Sequence, residues 1–204
     1  MPPYPLPVIS NVTKPPISLV KLAHSLIKNK VKSGDIVIDA TLGNGHDTLF
    51  LLGLVKPNGK VFGFDIQQTG IDSARSILQD HLFTDCLTLV HASHAKMGDY
   101  IPLPYHGKIS AVMFNLGYLP GGDKRIITQA DSTLVALSCA CQLLSASGII
   151  TVLAYPGHEG GEVETEQVKN WCLNLDPGQY QVRQFENHPE NPSAPKLFVV
   201  SKIR

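Results

Sequence analysis

No stretch of the 204 residues stays apolar for the roughly 18 positions that a membrane-spanning helix needs. Charge of either sign is also sparse, at 17% of residues, and Lys+Arg balances Asp+Glu for a formal net charge of zero. A polyanionic partner therefore gets no support from global charge and would have to be met by a local patch. Cysteine is scarce: Cys86, Cys139, Cys141 and Cys172 contain no C-x-x-C pair and sit among apolar neighbours. That excludes the common zinc spacings and a disulfide scaffold, and it predicts free, buried thiols in a reducing compartment. The first residues, MPPYPLPVISNV, have neither a charged n-region nor an Arg/Ser-rich amphipathic stretch, so no targeting signal is expected and the cytoplasm is the expected location.

What is abundant is apolar residue, at 43%, enough for one ordinary domain spanning 1–204. Six prolines within 1–16 predict an extended arm. Ser18 is placed to cap a helix whose apolar stripe is Leu19, Leu22, Ala23, Leu26 and Ile27. Residues 1–33 are thus an arm and a helix packed on the domain. Residues 1–34 also hold Lys14, Lys21, Lys28, Lys30 and Lys32 before the first acid, Asp35. A solvated helix face explains this run, and so does a surface turned toward a polyanion.

From Gly34 onward strands and helices alternate. Strands are predicted at 36-IVIDA-40, 60-KVFGF-64, 86-CLTLVH-91, 109-ISAVMF-114 and 148-GIITVLA-154. Helices are predicted near 46–55, 67–80 (Ile71, Ala74, Ile77 and Leu78 inward), 128–144 and 161–173. Two further strands, 179-QYQVRQF-185 and 196-KLFVVSK-202, are joined by a loop too short for a crossover helix, so they should pair antiparallel. The fold class that follows is α/β: a mostly parallel, Rossmann-like sheet ending in an antiparallel hairpin, with an N-terminal helix. This is the pattern of class I S-adenosylmethionine-dependent methyltransferases.

In such sheets ligands bind beyond the carboxyl ends of the strands. There the sequence places 39-DATLGNG-45, a turn whose Gly43 and Gly45 allow close backbone approach. Thr48 stands where a dinucleotide fingerprint would have its third glycine or alanine. Asp39 is predicted to face the ligand, where its charge would repel a pyrophosphate and attract an ammonium. Opposite charges about 4 Å apart gain roughly 4 kcal/mol at a surface-like dielectric, before desolvation. The methionine half of S-adenosylmethionine fits that sign, and a nicotinamide cofactor does not. Thr41, Asn44 and Asp47 belong to the same loop. Asp65 ends the next strand, where an acid grips ribose hydroxyls, with Gln67 beside it. Ser93 and His94 follow the third strand, where the adenine would lie, and Ser93 suits a capping role as well.

The fourth strand runs into 113-MFNLGYLPGGDK-124. Asn115-Leu116-Gly117-Tyr118 has the shape of the N-P-P-Y loop of nitrogen-directed methyltransferases, with both prolines replaced. The Asn carbonyl can accept an N–H from a target amine, and the Tyr ring can stack on the base that carries it. A capped turn with Tyr118 in the core is the alternative. Asp123 and Lys124 follow on the same rim. In 155-YPGHEGGE-162, His158 is the candidate for taking a proton, because imidazole titrates near neutral pH. His91, His94 and His158 complete no recognised metal spacing, and no metal is expected.

These strings, DATLGNGHDT, FGFDIQ, MFNLGYLPGGDK and YPGHEGGE, together resemble the YtqB-type family (MnmM-like), named for rRNA methylation. The resemblance implies a tRNA methyltransferase acting on 5-aminomethyl-2-thiouridine in the anticodon loop, at the wobble position. It implies Asp39, Gly43, Gly45 and Asp65 at the cofactor, and Asn115, Tyr118, Asp123, Lys124 and His158 around the substrate. The family's paired prolines before the last strand are replaced here by 192-PSAPK-196. An rRNA methyltransferase and a small-molecule amine methyltransferase remain the alternatives on the same fold. A homodimer would lengthen the basic surface.

Overall fold

The computed structural model describes residues 10–11, 18–79, 84–123 and 125–203. A single sheet in the order β1-β7-β8-β6-β5-β2-β3-β4 organises them. The central strands are β2 (Ile36–Asp39), β3 (Lys60–Asp65), β4 (Leu87–His91), β5 (Ile109–Asn115) and β6 (Leu144–Ala154). All neighbours among these five pair parallel. β7 (Tyr180–Glu186) and β8 (Lys196–Lys202) form the expected antiparallel hairpin, and β8 pairs antiparallel with β6. Strand order reverses between β2 and β5. That reversal opens a crevice at their carboxyl ends, the place where such sheets bind ligands.

The strands read as near-continuous apolar runs because both faces are covered. Successive residues point to opposite layers. Val37 and Val61 join one core with Leu19, Ile27, Leu51 and Ile71. Their neighbours Ile38 and Phe62 join the other, with Met97, Leu137 and Val168. The first layer is built by α1 (Leu19–Lys28), α2 (His46–Val55) and α3 (Gln68–Leu78). The second is built by α4 (Met97–Tyr100), α5 (Ala130–Leu143) and α6 (Gly161–Leu173). Each fully buried Leu, Ile or Phe contributes roughly 1.5–3 kcal/mol of burial free energy.

Several expectations are corrected in detail. Ile77, expected inward, is 36% exposed, because Ile71, Ala74 and Leu78 already fill the stripe of α3. β6 begins at Leu144 rather than 148, through a register shift against β5 that pairs Leu144 with Ile109. α5 begins at Ala130 rather than 128, since Ile127 bridges to Tyr118 and Thr128 bonds the loop after β5. Ser18 occupies the N-cap of α1, but its side chain makes no capping bond; its carbonyl accepts from the Leu22 N–H. The short α4 was not anticipated, and it exists to seat Met97, which is fully buried. Most of the proline-rich arm lies outside the described residues. Ser10–Asn11, however, form β1, paired parallel with β7 opposite Arg183 and Gln184.

Among the described residues no helix is long and apolar enough to cross a membrane. The four cysteines are free, and three of them are buried. Burial pushes the thiols of Cys141 and Cys172 up to about 11 and about 12, which keeps them protonated and unreactive.

Candidate functional site

A cleft of about 660 Å³ opens at the carboxyl ends of β2, β3, β4 and β5. Its floor is the turn after β2. Gly43 and Gly45 adopt φ of 50° and 85° there, and a Cβ on Gly45 would stand 2.9 Å from the Cβ of Ala74. Only glycine lets this turn lie flat against α3.

Asp65, at the end of β3, clasps the turn: its carboxylate accepts the Gly43 N–H at 2.9 Å and the Gln67 N–H at 2.8 Å. Asp65 and Gln67 line the cleft with Thr41, Asn44 and Asp47, beside the apolar side chains of Phe64, Ile66 and Ala92. Ser93 and His94 line it too. Ser93 does cap, its hydroxyl accepting the Ala95 N–H at 3.2 Å. His94 is buried, and burial pulls its imidazole below the ordinary value. Its Nδ1 donates to the Ala40 carbonyl at 3.2 Å, which leaves Nε2 as a buried acceptor without a partner among the described residues.

Asp39 departs from expectation. It is 1% exposed and is not part of the cleft wall. Its carboxylate accepts the Thr48 hydroxyl at 2.7 Å and the Thr41 N–H at 3.2 Å. Burial, reinforced by the charge of Asp47, pushes it up to about 7. These bonds tie the strand end to the turn and to the start of α2 from beneath. The acid that reaches the cleft in its place is Asp47, in the first turn of α2.

The loop after β5 forms the opposite wall. Asn115 donates its backbone N–H to the Thr41 hydroxyl at 2.7 Å, and its side-chain Nδ2 donates to Asp47 Oδ2. Its carbonyl oxygen is buried and has no partner among the described residues. Leu116 turns inward, 2% exposed, while Gly117 adopts φ 128° and sends Tyr118 out to 40% exposure. The capped-turn alternative with Tyr118 in the core does not hold. Tyr118 meets His158 edge to face, with ring centres 6.0 Å apart. His158 Nδ1 donates to the Glu159 carbonyl at 2.9 Å, which leaves Nε2 as the other ring nitrogen, buried and without a partner among the described residues.

Asp123 lies off the main cleft in a shallower neighbouring hollow with Asn44, Gln67 and Leu119. It pairs with Arg125 at 2.6 Å, and that guanidinium holds its carboxyl below the ordinary range. Lys124 lies outside the described residues. The loop of 192-PSAPK-196 contributes Ser193 to the cleft edge, opposite Gly157.

Sequence reasoning missed the support beneath this wall. Glu164 on α6, 3% exposed, accepts the hydroxyls of Thr128 and Thr133, each at 2.6 Å. Thr128 in turn accepts the Gly117 N–H at 2.8 Å. It also missed His24 on α1, whose Nε2 is 2.6 Å from Asp47 Oδ1. A Glu at helical spacing from Val168 and Cys172 was the available signal for the first; nothing in the local pattern marked the second. Among the described residues no group of His, Cys, Asp and Glu is arranged to hold a metal ion.

A doubly wound sheet with an antiparallel end, a glycine turn clasped by a strand-end acid and an Asn-led loop across the cleft define a class I, S-adenosylmethionine-dependent methyltransferase. The chain belongs to the family described as "Putative rRNA methylase", whose model matches residues 61–201. It is 37% identical over 190 residues to a chloroplastic tRNA (mnm5s2U34)-methyltransferase of Arabidopsis thaliana, covering 89% of this chain and 68% of the relative. A Clostridium thermocellum structure of the same description as the family superposes with TM-score 0.85 at 42% identity, covering 90% of this chain and 97% of that one. A Streptococcus mutans structure in complex with SAH gives TM-score 0.79 at 31% identity, with the same coverage of both chains.

Proposed function

We propose that this chain transfers the methyl group of S-adenosylmethionine to the primary amine of 5-aminomethyl-2-thiouridine at the wobble position of tRNA. The observation that carries the reading is Asn115: its amide is fixed by Asp47 on one side and leaves a buried, unpartnered carbonyl oxygen on the other. An aliphatic amine has the N–H to satisfy that oxygen, and accepting it aims the nitrogen lone pair. The tRNA substrate of the Arabidopsis relative supports the same acceptor.

The cleft fits the cofactor on its own chemistry. Gly43 and Gly45 let the backbone approach closely, Asp65 with Gln67 faces the place of the ribose, and Ile66, Ala92, Ser93 and His94 flank the place of the adenine. Asp47, with Thr41 and Asn44, faces the methionine end. When bound, the sulfonium supplies an already activated methyl group. The protein's work is therefore orientation: Asn115 holds the acceptor amine in line, and Tyr118 offers a half-exposed ring for the base. As the N–C bond forms the amine loses one proton, and His158 Nε2, unpartnered and beside the loop, receives it. Asp123, in the neighbouring hollow, is assigned to the substrate side.

The 204 residues are proposed to act as one domain in the cytoplasm, with the exposed Lys21, Lys28, Lys30 and Lys32 at the tRNA backbone. A homodimer would place two such faces side by side.

The test uses methyl-labelled S-adenosylmethionine with tRNA carrying unmethylated aminomethyl wobble uridine, beside ribosomal RNA, with nucleosides resolved by mass. Label in the wobble nucleoside is expected. Label confined to ribosomal RNA, or absent from both while SAH binds, would move the acceptor to rRNA or to a small-molecule amine.

A further inference from the structure

Asp47 has two oxygens and two partners. Oδ2 takes the Asn115 amide, while Oδ1 takes Nε2 of His24, 2.6 Å away and 23 residues earlier in the chain. Since the carboxylate can only accept, Nε2 carries the proton toward it. The imidazole is further held flat on Phe50, with ring centres 3.9 Å apart and planes within 5°. Asp47 and Phe50 are three residues apart on α2, so α1 grips the same helical turn with one ring, by a hydrogen bond and by its face.

This arrangement decides which end of the Asn115 amide meets the substrate. A half-turn of the amide would set Oδ1 against the carboxylate, acceptor against acceptor, and the carboxylate can enforce the choice only if it is itself fixed. We infer that His24 is a positioning residue: by pinning Oδ1 of Asp47 it orients Oδ2, and through it locks the Asn115 carbonyl as the acceptor aimed at the incoming amine. α1 is then part of the machinery of methyl transfer, although it supplies no atom to the reacting groups. This rests on the role given to Asn115 above.

The experiment compares His24→Phe, which keeps a flat ring on Phe50 but has no N–H, with His24→Gln, whose amide N–H reaches toward the same carboxylate oxygen. In the full chain, His24→Phe is expected to lower kcat on the order of tenfold or more, leaving KM for tRNA within about twofold. His24→Gln is expected to recover most of the loss. In 15N-asparagine-labelled protein without ligand, the Asn115 side-chain amide resonances should move in His24→Phe and return in His24→Gln. Combining His24→Phe with Asp47→Asn should cost no more than Asp47→Asn alone, because both act through one carboxylate.

Unmoved Asn115 resonances, unchanged kcat, additive losses, or a Gln variant no better than Phe would each overturn the inference. If the unsubstituted chain methylates no RNA, the reading of its substrate falls, while the amide resonances still decide the role of His24. They decide it equally if His24→Phe lowers stability, since they are read on the folded fraction.

Discussion

Asn115 and Asp39 are both polar residues at strand ends, and the structure gives them opposite work. Asn115 keeps one amide oxygen unsatisfied among the described residues. Replacing it by Ala removes the group that orients the acceptor without touching the glycine turn, so kcat should fall on the order of a hundredfold or more while SAH binding persists. Calorimetry with SAH beside single-turnover methylation checks this, and equal losses in both would contradict it. Asp39 instead serves the fold. Its folded-state value of about 7 stands above the ordinary 3.8 because of burial first and the Asp47 charge second. Across that interval the native state binds the proton more tightly than the unfolded chain. Asp39's contribution to stability is thus full below about pH 4 and is lost as pH rises through about 7. Asp39→Asn keeps a carbonyl for the Thr41 N–H and an amide for the Thr48 hydroxyl, but has no charge to bury. The variant should therefore flatten the fall in Tm between pH 4 and 7 and melt higher than the parent at pH 7.5. Thermal melts across that range measure it; parallel curves for the two proteins would contradict it.

At the scale of elements, the wall bearing Asn115 and Tyr118 is latched to α6. Glu164 gathers two threonine hydroxyls, and one of them receives the Gly117 N–H. Glu164→Ala strands the buried Thr133 hydroxyl and releases that of Thr128, at a cost on the order of 1–3 kcal/mol. Tm should fall by several degrees, and kcat should fall further than SAH affinity, because the cofactor turn hangs on Asp65 and not on this latch. A loss of SAH affinity as large as the loss of kcat would show the two walls to be one unit. The elements themselves were largely legible. β-branched runs such as 36-IVID and the stripe of Leu19, Ala23 and Ile27 carry their own period, so the strands and α1 emerge within a residue or two. Failures fall where a tertiary contact overrides local pattern: the start of α5 is displaced by Ile127 bridging to Tyr118, and β6 is lengthened by its pairing with β5.

At the scale of the whole molecule, a net charge of zero coexists with an uneven distribution. Lys21, Lys28, Lys30 and Lys32 are exposed on and just after α1, a helix with no acid in its first turn. α1 also reaches the cleft, through Val20 in its wall. Changing Lys21, Lys28 and Lys32 to Glu should weaken tRNA binding and flatten its dependence on salt, since fewer counterions are released, while SAH affinity holds. Filter binding across a salt series checks this. An unchanged slope would return these lysines to the role of a solvated face.

The sequence alone determined the alternation of strand and helix, the antiparallel end and the glycine turn, because each depends on neighbours within a few residues and on the periods of strand and helix. It also brought Asn115, Asp65 and His158 to the right edge of the sheet, since strand ends can be counted along the chain. Which acid reaches the cleft, which oxygen of Asn115 is left free, and the placing of His24 and Glu164 behind the two sides of the site follow from the assembled fold. Those outcomes turn on hydrogen bonds between residues 23, 36 or 68 positions apart. No local period encodes such pairs; they exist only once the sheet has set the helices side by side.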